Sequence, residues 1–161
     1  MKFTLLLLLT FGFIAVAHAR LGETEEQMSA RFGPPMQRSQ HSTFAQGKVW
    51  PVGPTLLFKQ ADWTISCDLV EGRCVRIQYG KPGEWTEEQF QLVLAYNSQG
   101  AKWTDTSRPA AAKFQRTWRR IDGAVAGWSG GQMHLVVPAY ERAKQVIEAK
   151  AKAAASQKPK I

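Results

Sequence analysis

Apolar and polar residues along this chain follow two periods, and the change from one period to the other occurs twice. A helical period after residue 24 gives way to segments in which apolar and polar residues alternate, which is typical of half-buried strands. A second helical stretch, carrying Phe90, Val93 and Leu94, is again followed by alternating segments. The pattern predicts an α+β fold in which one helix and an antiparallel meander are followed by a second helix and a second meander.

The tetrapeptide TEEQ marks the start of both predicted helices, at residues 24–27 and again at 86–89. In each copy the Thr suits the N-cap, and the Gln three residues later can bond back to the cap N–H, as in a capping box. In the second copy Trp85 and Phe90 are spaced as a hydrophobic staple. We interpret the two segments as structural repeats. The alternative is that a good helix start is used twice by chance.

Helix stops and turn residues divide the chain into a leader, two helix-plus-meander repeats and a basic C-terminal segment. The last segment shows helical spacing, which predicts a C-terminal helix that docks through Tyr140 and Ile147 and frays where alanine predominates. Its final residues, 156–161, are expected to be disordered. The four parts are residues 1–19, 20–82, 83–138 and 139–161.

The N-terminus has the pattern of a secretory signal peptide. Lys2 precedes an apolar run from Phe3 to Val16, and the run closes with Ala-His-Ala, which suits a signal peptidase. Cleavage is predicted between Ala19 and Arg20. An uncleaved membrane anchor is the alternative, but the run is shorter than the roughly 20 residues that a span needs. We therefore expect an exported protein, periplasmic or secreted, with no stable membrane insertion.

The net positive charge is concentrated at one end of the chain. The formal net charge is +8, and residues 139–161 hold six basic and two acidic residues, so half of the excess lies in the C-terminal segment. Export argues against nucleic acid as a partner. An anionic polymer of the cell envelope is an easier partner to reach, and its attraction would weaken with salt.

The two cysteines fall in the segment WTISCDLVEGRCVRIQY, which has the pattern of a hairpin. A three-residue loop at residues 70–72 pairs Cys67 with Val75 and keeps one face apolar. In that register Cys67 and Cys74 point to opposite faces, which is incompatible with a disulfide. A four-residue loop would place them opposite each other but would mix the faces. Because exported proteins commonly carry disulfides, the Cys67–Cys74 bond stays open as an alternative.

The second meander contains the candidate binding residues. Two-residue turns at Asp122-Gly123 and Gly130-Gly131 place Ile121, Thr117 and Trp128 on a core face. The opposite face then presents an aromatic ring beside basic groups, a combination that suits a protein interface or an acidic sugar. The alternative is that a helix covers this face. The candidate binding residues are Arg116, Trp118, Arg120 and His134.

Motifs for catalysis and metal binding are missing from the sequence. It contains no G-x-S-x-G, no H-E-x-x-H and no glycine-rich phosphate loop. His41 and His134 are too few, and wrongly spaced, for a zinc site. We therefore expect a non-enzymatic binding module without a cofactor, acting on an envelope or extracellular protein. A charge-driven adaptor for anionic envelope polymer is the second hypothesis, and a hydrolase with an unrecognised site is the third.

The segment from Gly22 to Pro35, with Thr24, Gln27 and Arg31-Phe32-Gly33 in that order, resembles the SmpA/OmlA-type (BamE-like) outer-membrane assembly proteins. The tandem plan over residues 22–137 is similar to the helix-plus-sheet unit of beta-lactamase inhibitory proteins, and the chain looks like small uncharacterised secreted bacterial proteins. These resemblances imply an α+β fold and protein binding in the envelope. The SmpA/OmlA type is usually a lipoprotein, whereas this chain has Arg20, and not a cysteine, directly after its predicted leader. The resemblance implies no functional residue.

Overall fold

The structure is a computed structural model that describes residues 20–156. The predicted signal peptide, including Ala19, and residues 157–161 lie outside the described part. Between these limits the chain forms helices, strands and one short 3₁₀ turn at Pro109–Ala111. In chain order the elements are α1 (Glu25–Phe32), β1 (Gln37–Ala45), β2 (Lys48–Gln60), β3 (Trp63–Val70), β4 (Arg73–Gly80), α2 (Glu87–Tyr96), β5 (Trp103–Asp105), β6 (Gln115–Arg120), β7 (Val125–Ser129), β8 (Gln132–Val136) and α3 (Pro138–Ser156).

The eight strands form a single antiparallel sheet in the order β1-β2-β3-β4-β8-β7-β6-β5. Its centre is the pairing of β4 with β8, where Ile77 lies opposite Leu135. Helices α1 and α2 bury Met28 and Val93 in the apolar core on one face of the sheet. Helix α3 contacts β1 to β4. The predicted α+β class and the C-terminal helix are therefore confirmed, whereas the division into two repeats stays a prediction.

Both helices that follow TEEQ begin as predicted. The Thr24 hydroxyl accepts from the Gln27 N–H, and the Gln27 side chain accepts from the Thr24 N–H at 2.9 Å. Thr86 and Gln89 make the same reciprocal pair. Each box satisfies two backbone donors that would otherwise have no partner within the helix. The start of each helix is thus a local property of the sequence.

A chain of aromatic rings fills the core between α2 and the sheet. Trp85 stacks on Phe90 with ring centroids 5.2 Å apart, as the predicted staple requires. Phe90 in turn lies 5.6 Å from Trp118 and 5.4 Å from Trp128. On the other side of Trp85, the ring of Trp63 meets it edge to face. These rings join the helix to strands on both sides of the β4–β8 pairing.

One buried amide ties the start of the described chain to the end of α2. Asn97 is fully buried, and its side chain accepts from the Leu21 N–H at 3.0 Å. The same side chain donates to the Val93 carbonyl and to the Tyr79 hydroxyl. A buried amide with these partners is satisfied, and removing it would leave the buried Leu21 N–H without this acceptor.

The β3–β4 hairpin differs from the predicted register. Val70 pairs with Arg73 across a two-residue turn, and a bulge between Asp68 and Leu69 then shifts the ladder. Glu71 and Gly72, the two turn residues, both have positive φ, the geometry that matches the twist of a hairpin. The predicted three-residue loop at 70–72 was wrong because it allowed for no bulge.

The corrected register moves the cysteines to one face. Cys67 lies opposite Ile77, not Val75, and Cys74 lies opposite Leu69. Both thiols are fully buried in the core cluster, and the Cys74 thiol donates to the Arg76 carbonyl at 3.4 Å. The expectation that they point to opposite faces was therefore wrong. In this structure both cysteines are free thiols.

Two smaller expectations also change. Helix α3 does not fray in its alanine-rich part but continues to Ser156, with Ala151 buried. Ile121, expected in the core, is 95% exposed. Helix α3 continues through its alanine-rich part because alanine has the highest intrinsic helix propensity.

Candidate functional site

The predicted binding patch does not form, because β6 is turned over. Arg120 bonds to Ala124 around a three-residue loop, so Trp118 pairs with Ala126. The expected two-residue turn would have paired Arg119 with Ala126. A slip of one residue moves every side chain of a strand to the other face. Burying the Trp118 indole, which has a large apolar area, favours the observed register over one that buries Thr117.

Trp118 is therefore a core residue, only 2% exposed. The guanidinium of Arg116 lies over its ring at 4.7 Å and over the Phe90 ring at 5.0 Å. Arg116 also forms ion pairs with Glu87 on α2 and, at 3.0 Å, with Asp105 on β5. Hydrogen bonds from Arg116 lower the pKa of the Glu87 carboxyl. Arg116 thus covers the core and links three elements.

Arg120 is buried as well, with 3% exposure. Its Nε donates to Asp122 at 2.8 Å, and its two terminal nitrogens donate to the Asn97 carbonyl and to Gln99. The pKa of Asp122 is lowered chiefly by the hydrogen bond from Arg120. A buried guanidinium with these partners is a structural group, and its burial keeps it out of reach of a ligand.

Among the four predicted residues, His134 alone lies on the sheet face away from α1 and α2. It pairs with Gly127, as the predicted Gly130-Gly131 turn requires. Its ring lies against the glycine backbone, where a Cβ would come within 2.6 Å of the imidazole Nε2. Desolvation, followed by the charge of Arg76, lowers the pKa of His134. The His134 side chain is nonetheless accessible to solvent on this face.

This face of the sheet carries an open concave surface of about 580 Å³, which we call the sheet groove. It crosses the ends of β2, β3, β4 and β8. Most of its lining consists of hydrogen-bonding side chains, and α3 does not contribute to it. The lining residues are Leu57, Lys59, Asp62, Thr64, Ser66, Gln78, Gly80, Lys81, Pro82 and Gln132.

The chemistry of the sheet groove is polar and mildly basic. Its lining includes two ammonium groups, of Lys59 and Lys81, and one carboxylate, that of Asp62. Across the β4–β8 pairing, Gln78 donates to Gln132 at 2.6 Å, which leaves each amide with further donors or acceptors. The groove therefore offers neutral donors and acceptors at its floor and ammonium groups at its rim. Such a surface suits a polar peptide or loop better than an apolar small molecule.

A second polar cluster lies on the same face, beneath α3. Asp68, 2% exposed, accepts from the Thr55 hydroxyl at 2.6 Å. Arg76 Nε lies 2.6 Å from Asp68 Oδ2, an ion pair whose geometry falls short of a hydrogen bond. His41 Nδ1 lies 3.7 Å from the same oxygen. On its other side the His41 ring bonds to the Tyr140 hydroxyl at 2.6 Å.

The order Tyr140, His41, Asp68 resembles a proton relay, but its environment is structural. Tyr140 is buried at the first turn of α3, and desolvation raises the pKa of its hydroxyl. Desolvation is also the largest cause of the lowered pKa of His41. Arg76 lies over the Tyr140 ring at 5.2 Å. The cluster therefore fastens α3 to the sheet. None of its four residues lines the sheet groove.

Sequence reasoning missed the sheet groove, although its signal was present. In the β3 segment Thr64 and Ser66 alternate with the apolar Ile65 and Cys67, and the polar face that they form is the floor of the groove. The pattern could not reveal the neighbouring strand, because β8, which pairs with β4, lies more than fifty residues further along the chain. Polar positions on two distant segments combine into a surface only once the strand order is known.

Comparison with known proteins identifies no family. No protein-family model matches the chain, and no curated protein matches it. A solved structure, that of a cysteine-rich secretory protein from Staphylococcus aureus, is similar with a TM-score of 0.47 and 8% sequence identity. The match covers 74% of this chain and 45% of that one. Among residues 20–156, no helix has both the length and the apolar character to cross a membrane.

Proposed function

We propose that this chain is an exported, non-enzymatic binding module that engages an envelope or extracellular protein through the sheet groove. The observation that carries the proposal is the groove itself, a concave polar surface on the sheet face away from α1 and α2, in the part of that face that α3 does not cover. The docking face is thus the one opposite Trp118. Substitution of Trp118 by alanine would test stability rather than binding.

The strands that carry the groove support the proposal. Its floor consists of side chains on four paired strands, whose opposite sides belong to the buried core. A surface built on paired strands is rigid, so the module loses little conformational entropy when a partner binds to it. Export, inferred from the N-terminal pattern, would bring the groove into contact with envelope proteins.

We also propose that residues 20–82 and 83–138 are repeats of one helix-plus-meander unit. Each half begins with Gly-Glu and a capping box, and each continues through four antiparallel strands. The last strands of the halves, β4 and β8, pair at the centre of the sheet. The groove would then lie at the junction of the repeats, where Gln78 of one meets Gln132 of the other.

A charge-driven adaptor for anionic envelope polymer is the second candidate. Lys59 and Lys81 at the groove rim, together with the basic segment from residue 139, favour it. The two candidates differ in their response to salt, since charge attraction to exposed groups is screened and shape-based docking is not. Salt dependence is therefore built into the test.

The test is capture of partners from the host envelope fraction on the immobilised exported chain, with washes at low and high salt. The variant T64Y/Q132Y fills the groove without changing its charge, and K59Q/K81Q removes charge without filling it. The matched control Q91Y adds the same ring to the exposed side of α2. We expect a discrete protein that survives high salt, binds at least about ten-fold less to T64Y/Q132Y, and binds Q91Y as well as wild type.

The outcomes separate the candidates. Anionic material that washes off with salt and is lost from K59Q/K81Q would establish the polymer adaptor instead. Equal retention by wild type and T64Y/Q132Y would remove the sheet groove as the binding surface. Thermal unfolding of each variant shows whether the fold is intact, so that a loss of binding is not mistaken for a loss of structure.

A further inference from the structure

The tip of the β1–β2 hairpin exposes apolar side chains that the sheet groove does not use. Phe44 and Val49 lie directly opposite each other in the ladder, and each is 71% exposed. Trp50 follows Val49, half-buried, with its indole N–H bonded to the Ala45 carbonyl at 3.1 Å. Scattered single apolar residues on a surface are ordinary, but an exposed pair beside a tryptophan at a hairpin tip is a patch.

The end of α3 extends this patch. Ala151 is buried, and with Ala154 and Ala155 it lines an apolar hollow of about 240 Å³ shared with Val49 and Trp50. Helix and hairpin tip therefore form one surface at one end of the molecule. The helix alone has only alanine to offer, which buries little area. The hairpin supplies the aromatic and branched side chains that the helix lacks.

Basic side chains surround the patch. Lys48 lies in the hairpin and lines the hollow, while Lys150 and Lys152 are exposed on the last turns of α3. The acidic neighbour is Glu148, which shares a second shallow hollow with Phe44 and Lys152. The local charge is thus positive around an apolar centre, the combination that favours adsorption to an anionic lipid surface.

We propose that the hairpin tip, Phe44, Val49 and Trp50, together with the end of α3, docks reversibly on an anionic lipid bilayer. In that pose Phe44 and Val49 enter the headgroup region and the Trp50 indole sits at its boundary, the depth at which tryptophan is enriched in membrane proteins. The lysines meet lipid phosphates. Docking adsorbs the module at the surface and requires no span of the bilayer.

Charge complementarity decides between a lipid surface and a second copy of this chain. A second copy would bring the same lysines against each other, and like charges repel. A bilayer with anionic headgroups pairs with all of them at once. This surface is separate from the sheet groove, which lies at the other end of β2, so that a groove-bound protein and a membrane can be held together.

The test is co-sedimentation of the exported chain with vesicles of phosphatidylcholine mixed with phosphatidylglycerol, compared with phosphatidylcholine alone. We expect binding to the anionic vesicles only, with an affinity at least about ten-fold lower for F44S/V49S. The matched control is F114S/I121S, which removes two apolar side chains, 77% and 95% exposed, that flank β6 near the opposite sheet edge. K150Q/K152Q should weaken binding in low salt and make it less salt-sensitive.

Several results would overturn the docking proposal. These are no binding of wild type to anionic vesicles, unchanged binding of F44S/V49S, or equal losses in F44S/V49S and F114S/I121S. Tighter binding to a soluble anionic polymer than to vesicles would also overturn it, since a polymer has no apolar interior for Phe44. T64Y/Q132Y should bind vesicles like wild type, so failure of the groove proposal and failure of this one are distinguishable.

Discussion

At the residue scale, this protein uses its charged and polar side chains as fasteners more than as free ligands. Arg116 and Arg120, both expected on a binding face, instead hold α2 and the β5–β6 region to the core. Asp68 is held between Thr55 and Arg76 beneath α3. Each is paired with groups from another element, as burial of a polar group requires, although Asp68 Oδ2 has ion pairs in place of a hydrogen bond.

The histidine beneath α3 makes stability depend on pH. Burial lowers the pKa of His41, opposed by Asp68 and assisted by Arg76 and Lys144, while Tyr140 bonds its other nitrogen. The unfolded state, with the ordinary pKa near 6.5, therefore binds more protons than the folded state. We expect the free energy of unfolding to be complete above about pH 6.5 and to fall as the pH drops below it.

Urea denaturation at about pH 7.5 and about pH 5.5 measures this dependence, in a range where carboxylates contribute little. His41→Gln should reduce the loss of stability between the two pH values. His134 has a lowered pKa for the same reason, so His134→Gln serves as a matched variant and should remove its own share. An unchanged difference in the His41→Gln variant would contradict the expectation.

At the element scale, hairpin registers decide which side chains meet. In the β3–β4 hairpin a two-residue turn and a bulge bring Cys67 and Cys74 to the same buried face. In the β6–β7 hairpin, one additional loop residue turns Trp118 inward and Arg119 outward. Of the three turns predicted from the sequence, only the Gly130-Gly131 turn has the predicted length. Bulges and three-residue loops leave a weaker signal in the sequence.

The cysteine geometry leads to a prediction about oxidation. In an oxidising compartment we expect Cys67 and Cys74 to form a disulfide, each thiol losing its proton and the pair passing two electrons to a thiol oxidant of that compartment. Thiol titration of the denatured exported chain should then find no free thiol. Reduction should lower the free energy of unfolding by about 2 kcal/mol, as for a short closed loop.

A matched pair of variants checks this prediction. C67A/C74A should be insensitive to reductant, and C67A alone should retain one titratable thiol without forming a dimer, because Cys74 is buried. Burial and the neighbouring Cys67 raise the pKa of the Cys74 thiol, so oxidation is expected during folding and not afterwards. Two free thiols in protein recovered from the envelope would contradict the disulfide.

At the scale of the whole molecule, the two halves share one sheet and one core. Strand β4 of the first half pairs with β8 of the second, and Asn97 binds the Leu21 backbone from 76 residues away. Separating the halves would expose the β4 and β8 edges and the faces of Ile77 and Leu135. Exposed edges and apolar faces of this kind favour aggregation over folding.

We therefore expect that residues 20–82 and 83–161, produced separately, do not fold, and that mixing them restores the structure. Dispersed amide signals in NMR spectra measure folding in each case. The matched control is the full chain cut at an engineered protease site in the exposed segment 82–84, where both halves remain associated. Cooperative unfolding of either half alone would show that the unit of folding is the half and not the whole.

The elements that sequence patterns predicted correctly are those whose cause is local. Both capping boxes, the Trp85–Phe90 staple and the Gly130-Gly131 turn follow from residues within a few positions of one another. The α+β class follows from the periods of the apolar positions. Propensity and turn chemistry suffice for such features, because their partners are neighbours in the chain.

Which face each strand presents, and therefore where a ligand can bind, depends on tertiary packing and could not be read from the sequence. Trp118 could be assigned to either face by alternation alone, and the choice depended on its packing against Phe90, on another element. The sheet groove required the pairing of β4 with β8, and the apolar tip required α3 to reach the hairpin. Each of these contacts joins residues far apart in the chain, whose free energy no local pattern records.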